Sequence, residues 1–181
     1  MQFRNGGRRK SFLLIAMAGA LWLSASAPGF AQPAGCTLVA DDRNPTEKIL
    51  RCGDTLAIRN AAQAEYRPIG QHGQQVPTGV RLDSGALMIE FTPSERQKNF
   101  QIQTPHAIAA VRGTKWAVEV ERGRTSTLVL SGTVAVTSPR ATRSAMLHAG
   151  EGADVFAGTR RIVVKRWAQK RVDALLARFS Q

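Results

Sequence analysis

From Trp116 to Glu121 the side chains alternate: Trp116, Val118 and Val120 share one face, while Lys115, Ala117, Glu119 and Glu121 share the other. That two-residue period is the pattern of a half-buried strand with one wet face. Glu121-Arg122-Gly123-Arg124 is polar and carries a glycine able to take positive φ, so the chain can reverse there and return from Thr125 to Leu130 as a hairpin. Ser131-Gly132 then interrupts the apolar run before Thr133 to Val136 resumes it. A lone glycine inside strand sequence marks a bulge or a bend between sheets, which points to a sandwich or short roll.

The rest of the chain extends this pattern. Thr37-Leu38-Val39 and Leu56-Ala57-Ile58 read as short strands flanking a polar loop from Asp41 to Lys48. Residues 59–79, rich in Gln, Gly, Pro and Ala, read as a surface loop. Val80-Leu82 and Ala86-Phe91 frame Asp83-Ser84-Gly85 as a hairpin turn, and Phe100 to Gln103 alternates again. Met146-Leu147, Ala153 to Phe156 and Ile162 to Val164 are three further strand candidates. The fold expected is all-β, a sandwich or short β-roll of antiparallel strands with one C-terminal amphipathic helix. That helix is read over Trp167 to Phe179, where Trp167, Val172, Leu175, Leu176 and Phe179 fall on one side. Its stripe is expected to cover an open end or edge of the β-body.

The first 31 residues have the layout of a cleavable secretory signal: Arg4, Arg8, Arg9 and Lys10, then an apolar run from Phe12 to Leu23, then small residues up to Ala31. Lys10 and Ser11 place the Arg8-Arg9 pair one position too far from the apolar run for the twin-arginine spacing, so general secretion is expected. Loss of these four basic residues lowers the formal charge from +12 to +8. The domains expected are the signal over 1–31, one β domain over 32–164 and the helix over 165–181. In an oxidising compartment the two cysteines, Cys36 and Cys52, are expected to form one bridge, adding roughly 3 kcal/mol by loop entropy.

No motif for catalysis is visible. His72, His106 and His148 are far apart and none has a second ligand type at metal-binding spacing. Gly113-Thr114-Lys115 lacks the upstream glycine of a phosphate loop, because Ile108 stands there. The expectation is a non-enzyme without cofactor or metal. Arg112, between apolar runs, reads as a buried cation paired with Glu90, Glu119 or Glu121. From residue 140 onward nine basic residues face three acidic ones, and Lys165, Arg166, Lys170, Arg171 and Arg178 are the candidate partner surface. Export separates that charge from nucleic acid and favours an anionic envelope component or an acidic protein face. Peripheral contact with a membrane through the C-terminal helix is a further expectation.

Several elements in fixed order carry a family resemblance: Thr104-Pro105; Val111-Arg112-Gly113-Thr114 with Trp116; Leu128 to Val136 around Gly132; and Leu147 to Gly152 around Gly150. Over 78–157 the chain resembles the FecR domain family. The resemblance implies a periplasmic all-β module with no catalytic residues. In the regulators that name the family, the module contacts the signalling domain of an outer-membrane transporter and relays metal-chelate availability to a cytoplasmic sigma factor. Only residues 1–11 precede the apolar run here, where such regulators carry a cytoplasmic anti-sigma region. The function expected is therefore a stand-alone periplasmic or secreted interaction module for an envelope protein or anionic envelope component. The alternative is a membrane-anchored regulator of cell-surface signalling acting on a sigma factor. N-terminal sequencing of the exported protein separates the two: a start at Gln32 is expected, and a product that keeps residues 12–23 removes the cleavable-signal reading.

Overall fold

Strand β5 (Gly79–Phe91) is thirteen residues long and belongs to two sheets at once. The computed structural model describes residues 35–41, 45, 48–70 and 76–180. Two compact units divide the chain, Met1–Ala31 and Gln32–Gln181, and every described residue belongs to the second. The signal segment read over 1–31 and part of the Gln/Gly-rich loop, 71–75, lie outside the described residues.

The C-terminal half of β5 pairs with β3 (Leu56–Asn60) on one side and β8 (Thr114–Glu121) on the other. Beyond β3 the first sheet continues through β2 (Lys48–Cys52) to β1 (Cys36–Ala40). Beyond β8 it continues through β9 (Arg124–Ser131) and β12 (Glu151–Phe156) to β13 (Val164–Arg166). The N-terminal half of β5 pairs with β4 (Glu65–Ile69) and, in parallel, with β6 (Phe100–Gln103). The second sheet then runs through β7 (Ile108–Val111) and β10 (Thr133–Thr137) to β11 (Ala145–His148). Among the described residues thirteen strands form one nearly closed all-β body, and β5–β6 is the parallel pair in an otherwise antiparallel arrangement.

Gly85, at φ 84°, makes the shared strand work. A Cβ built there would lie 2.6 Å from Ala64 Cα, so a side chain is excluded as well as disfavoured by φ. Asp83-Ser84-Gly85 is thus a bend within one strand, where sequence chemistry predicts a hairpin turn. Turn residues and a bulged strand ask for the same backbone, and only the partners on either side distinguish them. The Ser131-Gly132 interruption is a bend between sheets, since β9 lies in the first and β10 in the second. A Cβ on Gly132 would collide with the Gly113 carbonyl and with Thr114 Oγ1, placed 2.8 Å away.

The inner faces of both sheets meet in one apolar core. Trp116 lies fully buried at its centre, with the Phe100 ring at 6.1 Å edge-on and Phe91 stacked on Phe100 at 5.6 Å. Val118, Val120, Val129, Val134 and Val136 complete the alternation seen in the sequence. Cys36 and Cys52 are directly opposed in the β1–β2 ladder and are joined by a disulfide. Strand β4, within the stretch read as loop, has too few apolar residues to announce itself, and strand β2 is a short strand without the two-residue alternation, Ile49 and Leu50 both being buried.

The helix α1 (Gln169–Leu176), followed by a 3₁₀ turn at Ala177–Phe179, starts two residues later than its stripe suggests. It covers a sheet face and not an edge. Trp167, Leu175 and Phe179 pack on Ala61, Ala86, Ala117 and Leu128, on the side of the first sheet away from the main core. The face of β8 read as wet is therefore dry at Ala117, where small residues leave room for the helix. Isolated helices of this length are marginal in water, so packing on this face holds it.

Two buried polar atoms have no hydrogen-bond partner among the described residues, Trp116 Nε1 and Thr127 Oγ1. Thr127 alternates with Val129 towards the main core, and an unpaired buried hydroxyl carries an uncompensated desolvation cost. Thr127→Val keeps the shape and removes the hydroxyl. Stability is expected to rise by about 1 kcal/mol in chemical denaturation; a loss of that size would show that Thr127 Oγ1 is satisfied.

Candidate functional site

The outward face of the second sheet carries a shallow groove. Its floor is Gln101 on β6, Ala110 on β7, Ala135 on β10 and Met146 on β11, and small residues at its centre let a partner's main chain approach. Phe100↔Val111 pairing brings the loop before β6 beside the end of β7, so Arg96, Lys98 and Arg112 gather at one end. That loop is held by Gln97 Nε2 donating to Pro77 O at 2.8 Å and by Ser94 N–H donating to Gln97 O at 2.9 Å. No lining residue is acidic.

Arg112 is exposed, which corrects its reading as a buried, paired cation. Its proposed partners are engaged elsewhere: Glu90 faces Lys115 at 3.4 Å, and Glu119 and Glu121 pair with Arg178. Apolar neighbours in sequence suggested burial, but Arg112-Gly113 is the link where the chain leaves one sheet for the other, and nothing lies over it. The rest of the motif is interior or turn. Val111, Thr114 and Trp116 are buried, with Thr114 Oγ1 donating to Thr133 O at 3.0 Å. Gly113, Gly132 and Gly150 take positive φ, and the Gly150 N–H donates to Val129 O at 2.9 Å.

Thr104 and Pro105 stand in the β6–β7 turn, where a hydroxyl meets a histidine. Thr104 Oγ1 donates to Ala107 O at 2.8 Å and lies 2.8 Å from Thr125 Oγ1, which lies 3.2 Å from His106 Nδ1. Thr104 Oγ1 also accepts from Ala107 N–H at 2.9 Å, so the turn, Thr125 and His106 form one network whose donor order follows the His106 tautomer. Thr125 is 1% exposed, so the network pins a turn beside a second groove lined by Asp83, Ser84, His106, Arg122, Arg124 and Phe156. Among the described residues no group of three or more His, Cys, Asp or Glu could hold a metal ion.

The five basic residues read as a partner surface divide in two. Arg171 lies 3.5 Å over the Trp167 ring, and its guanidinium makes two bonds to Asp154, at 2.5 and 2.9 Å. Ser126 Oγ donates to the same carboxylate at 2.7 Å. Arg178 pairs with Glu119 and Glu121 on β8. These two arginines fasten the helix to the sheet, while Lys165, Arg166 and Lys170 remain exposed. Trp167 in turn lies so close over Gly152 that any side chain there would enter the indole. The apolar side of the helix is consumed by this packing, which removes the expected membrane contact through that side. The sequence singled out neither Arg96 and Lys98, which stand exposed in an ordinary charged turn, nor Asp154. Their only advance signal was charge.

The described fold and surface define an all-β, disulfide-tied domain whose helix is clasped to one sheet and whose other sheet presents a cationic groove. A family model for the FecR protein matches residues 48–135, which identifies a FecR domain over that stretch. Two crystal structures of a candidate anti-sigma factor from Parabacteroides distasonis, at 1.65 and 2.50 Å resolution, share its fold at a TM-score of 0.53 and 17% identity. The match covers 79% of this chain but only 61% of that one. No curated protein matches the chain by sequence. Among the described residues no helix is long and apolar enough to cross a membrane.

Burial of Asp154 tends to raise its carboxyl, but the hydrogen bonds from Arg171 and Ser126, with the charges of Arg171 and Arg124, outweigh it and hold the group below its ordinary value. A depressed carboxyl stabilises the fold above its unfolded pKa and loses that contribution as pH falls through the folded value. Asp154→Asn is expected to lower Tm at neutral pH, and the gap to the native protein is expected to close as pH drops below the ordinary aspartate range. A gap that persists unchanged into that acid range would show that the clasp does not depend on the charge of Asp154.

Proposed function

We propose that the chain is a non-enzymatic, exported FecR-like module that binds an envelope protein through the groove on its second sheet. The observation that carries this reading is the groove's composition: a small-residue floor, three exposed cations at one end and no acid. Such a surface fits an extended acidic segment, whose main chain can lie over Ala110 and Ala135 while its carboxylates meet Arg96, Lys98 and Arg112. The FecR match supports a binding role, and the engagement of Arg171 and Arg178 in the helix clasp shifts the partner surface away from the helix. Lys165, Arg166 and Lys170 can add attraction at longer range. The domains proposed remain a signal over 1–31, a β domain over 32–164 and the C-terminal segment over 165–181, with the protein in the periplasm or secreted.

A second reading has its own support. The FecR match and the fold shared with a candidate anti-sigma factor favour a regulator of cell-surface signalling, anchored by residues 12–23 and acting on a sigma factor. Both readings place a protein partner on the β domain.

Photocrosslinking in intact cells from a probe at Ala135 tests the groove. A reproducible envelope partner is expected, with its yield falling at least tenfold in Arg96→Glu/Lys98→Glu/Arg112→Glu while the protein stays folded by circular dichroism. Recovery of no reproducible partner, or the same yield from the charge-reversed protein, sinks the groove as the binding site.

A further inference from the structure

Two loops, 138–144 between β10 and β11 and 157–163 between β12 and β13, meet at one end of the β-body. Ser138, only 6% exposed, joins them: its Oγ donates to Thr159 O at 2.6 Å and accepts from Ala141 N–H at 3.1 Å. The second loop is closed on itself by Phe156 N–H donating to Thr159 Oγ1 at 3.0 Å and Thr159 N–H donating to Phe156 O at 3.1 Å. Ala157 N–H donates to Gly123 O at 3.3 Å, which brings in the β8–β9 turn. Arg140 and Arg143 in the first loop, Arg160 and Arg161 in the second, and Arg122 in the turn are all exposed. None of the five takes part in an ion pair among the described residues, and neither loop contains Asp or Glu. At the two ends of the second loop, Phe156 and Val163 are 54% and 53% exposed.

We propose that this loop end is a docking surface for an anionic phospholipid bilayer. Uncompensated arginines held at fixed positions suit a sheet of phosphate headgroups, each near-surface arginine favouring the bound state about fivefold. The exposed phenylalanine and valine favour a bilayer over a soluble polyanion, because only a bilayer offers an apolar layer beneath its charge. The C-terminal helix cannot fill this role with its apolar side, which is spent on the sheet. The surface lies on loops distinct from the groove proposed to bind protein, and its test does not depend on that reading.

Flotation of the full chain with vesicles of phosphatidylcholine alone, or with about one-fifth phosphatidylglycerol added, tests the proposal; the readout is the extra binding that the anionic lipid brings. That difference is expected to fall by at least about 100-fold in Arg140→Glu/Arg143→Glu/Arg160→Glu/Arg161→Glu and severalfold in Phe156→Ser/Val163→Ser. Lys170→Glu is expected to leave it within about twofold. Thermal unfolding of each variant confirms the fold. Equal binding to both vesicle types, an anionic-lipid effect that survives the fourfold charge reversal, or one that depends on Lys170 instead overturns the proposal. So does arginine-dependent retention on a heparin column without vesicle binding, which would assign the surface to a soluble anionic glycan.

Discussion

Everything in this fold hangs on the passage of one strand through both sheets. β5 takes its ladder partners from β4 and β6 before Gly85 and from β3 and β8 after it. A strand that bends in this way takes partners in both sheets, and the inner faces of the two halves then enclose Trp116 and its aromatic neighbours. The bend is possible because Gly85 has no side chain to strike Ala64. Gly132 does the same service where β9 becomes β10.

A second constraint is size. Ala61, Ala86 and Ala117 make a flat patch on the far side of the first sheet, and the short C-terminal helix lies there because Leu175, Phe179 and Trp167 fill the space those alanines leave. Charge then fixes the orientation, through Arg171 to Asp154 and Arg178 to Glu119 and Glu121. The excess of positive charge therefore has two fates. Some arginines are fasteners, and their chemistry is spent. Others, at the groove and at the loop end, face solvent with no acidic partner among the described residues, and the proposals of protein and lipid binding rest on those.

The FecR family match and the shared fold agree on an all-β module, yet a fold seen at 17% identity says little about which partner it meets. Here the difference lies in which surfaces remain unsatisfied. The contact between His106 and Thr125 illustrates the point: proximity resembles a catalytic pair, while the burial of Thr125 and its bond to Thr104 make it a structural pin.

Sequence alone determined the all-β class, the β8–β9 hairpin, the break at Gly132, the disulfide pair and the apolar stripe of the C-terminal segment, because each is a local consequence of side-chain period, backbone freedom or cysteine chemistry. It could not tell a hairpin from a bent strand at Asp83-Ser84-Gly85, since both use the same residues and differ only in which strands lie alongside. Nor could it leave Arg112 unpaired among the described residues and put Arg171 and Arg178 in ion pairs with the sheet, because the partners of a cation are decided by what another element lays beside it. The groove and the arginine loop end belong to the tertiary structure alone: their residues are dozens of positions apart, and only strand order brings them together.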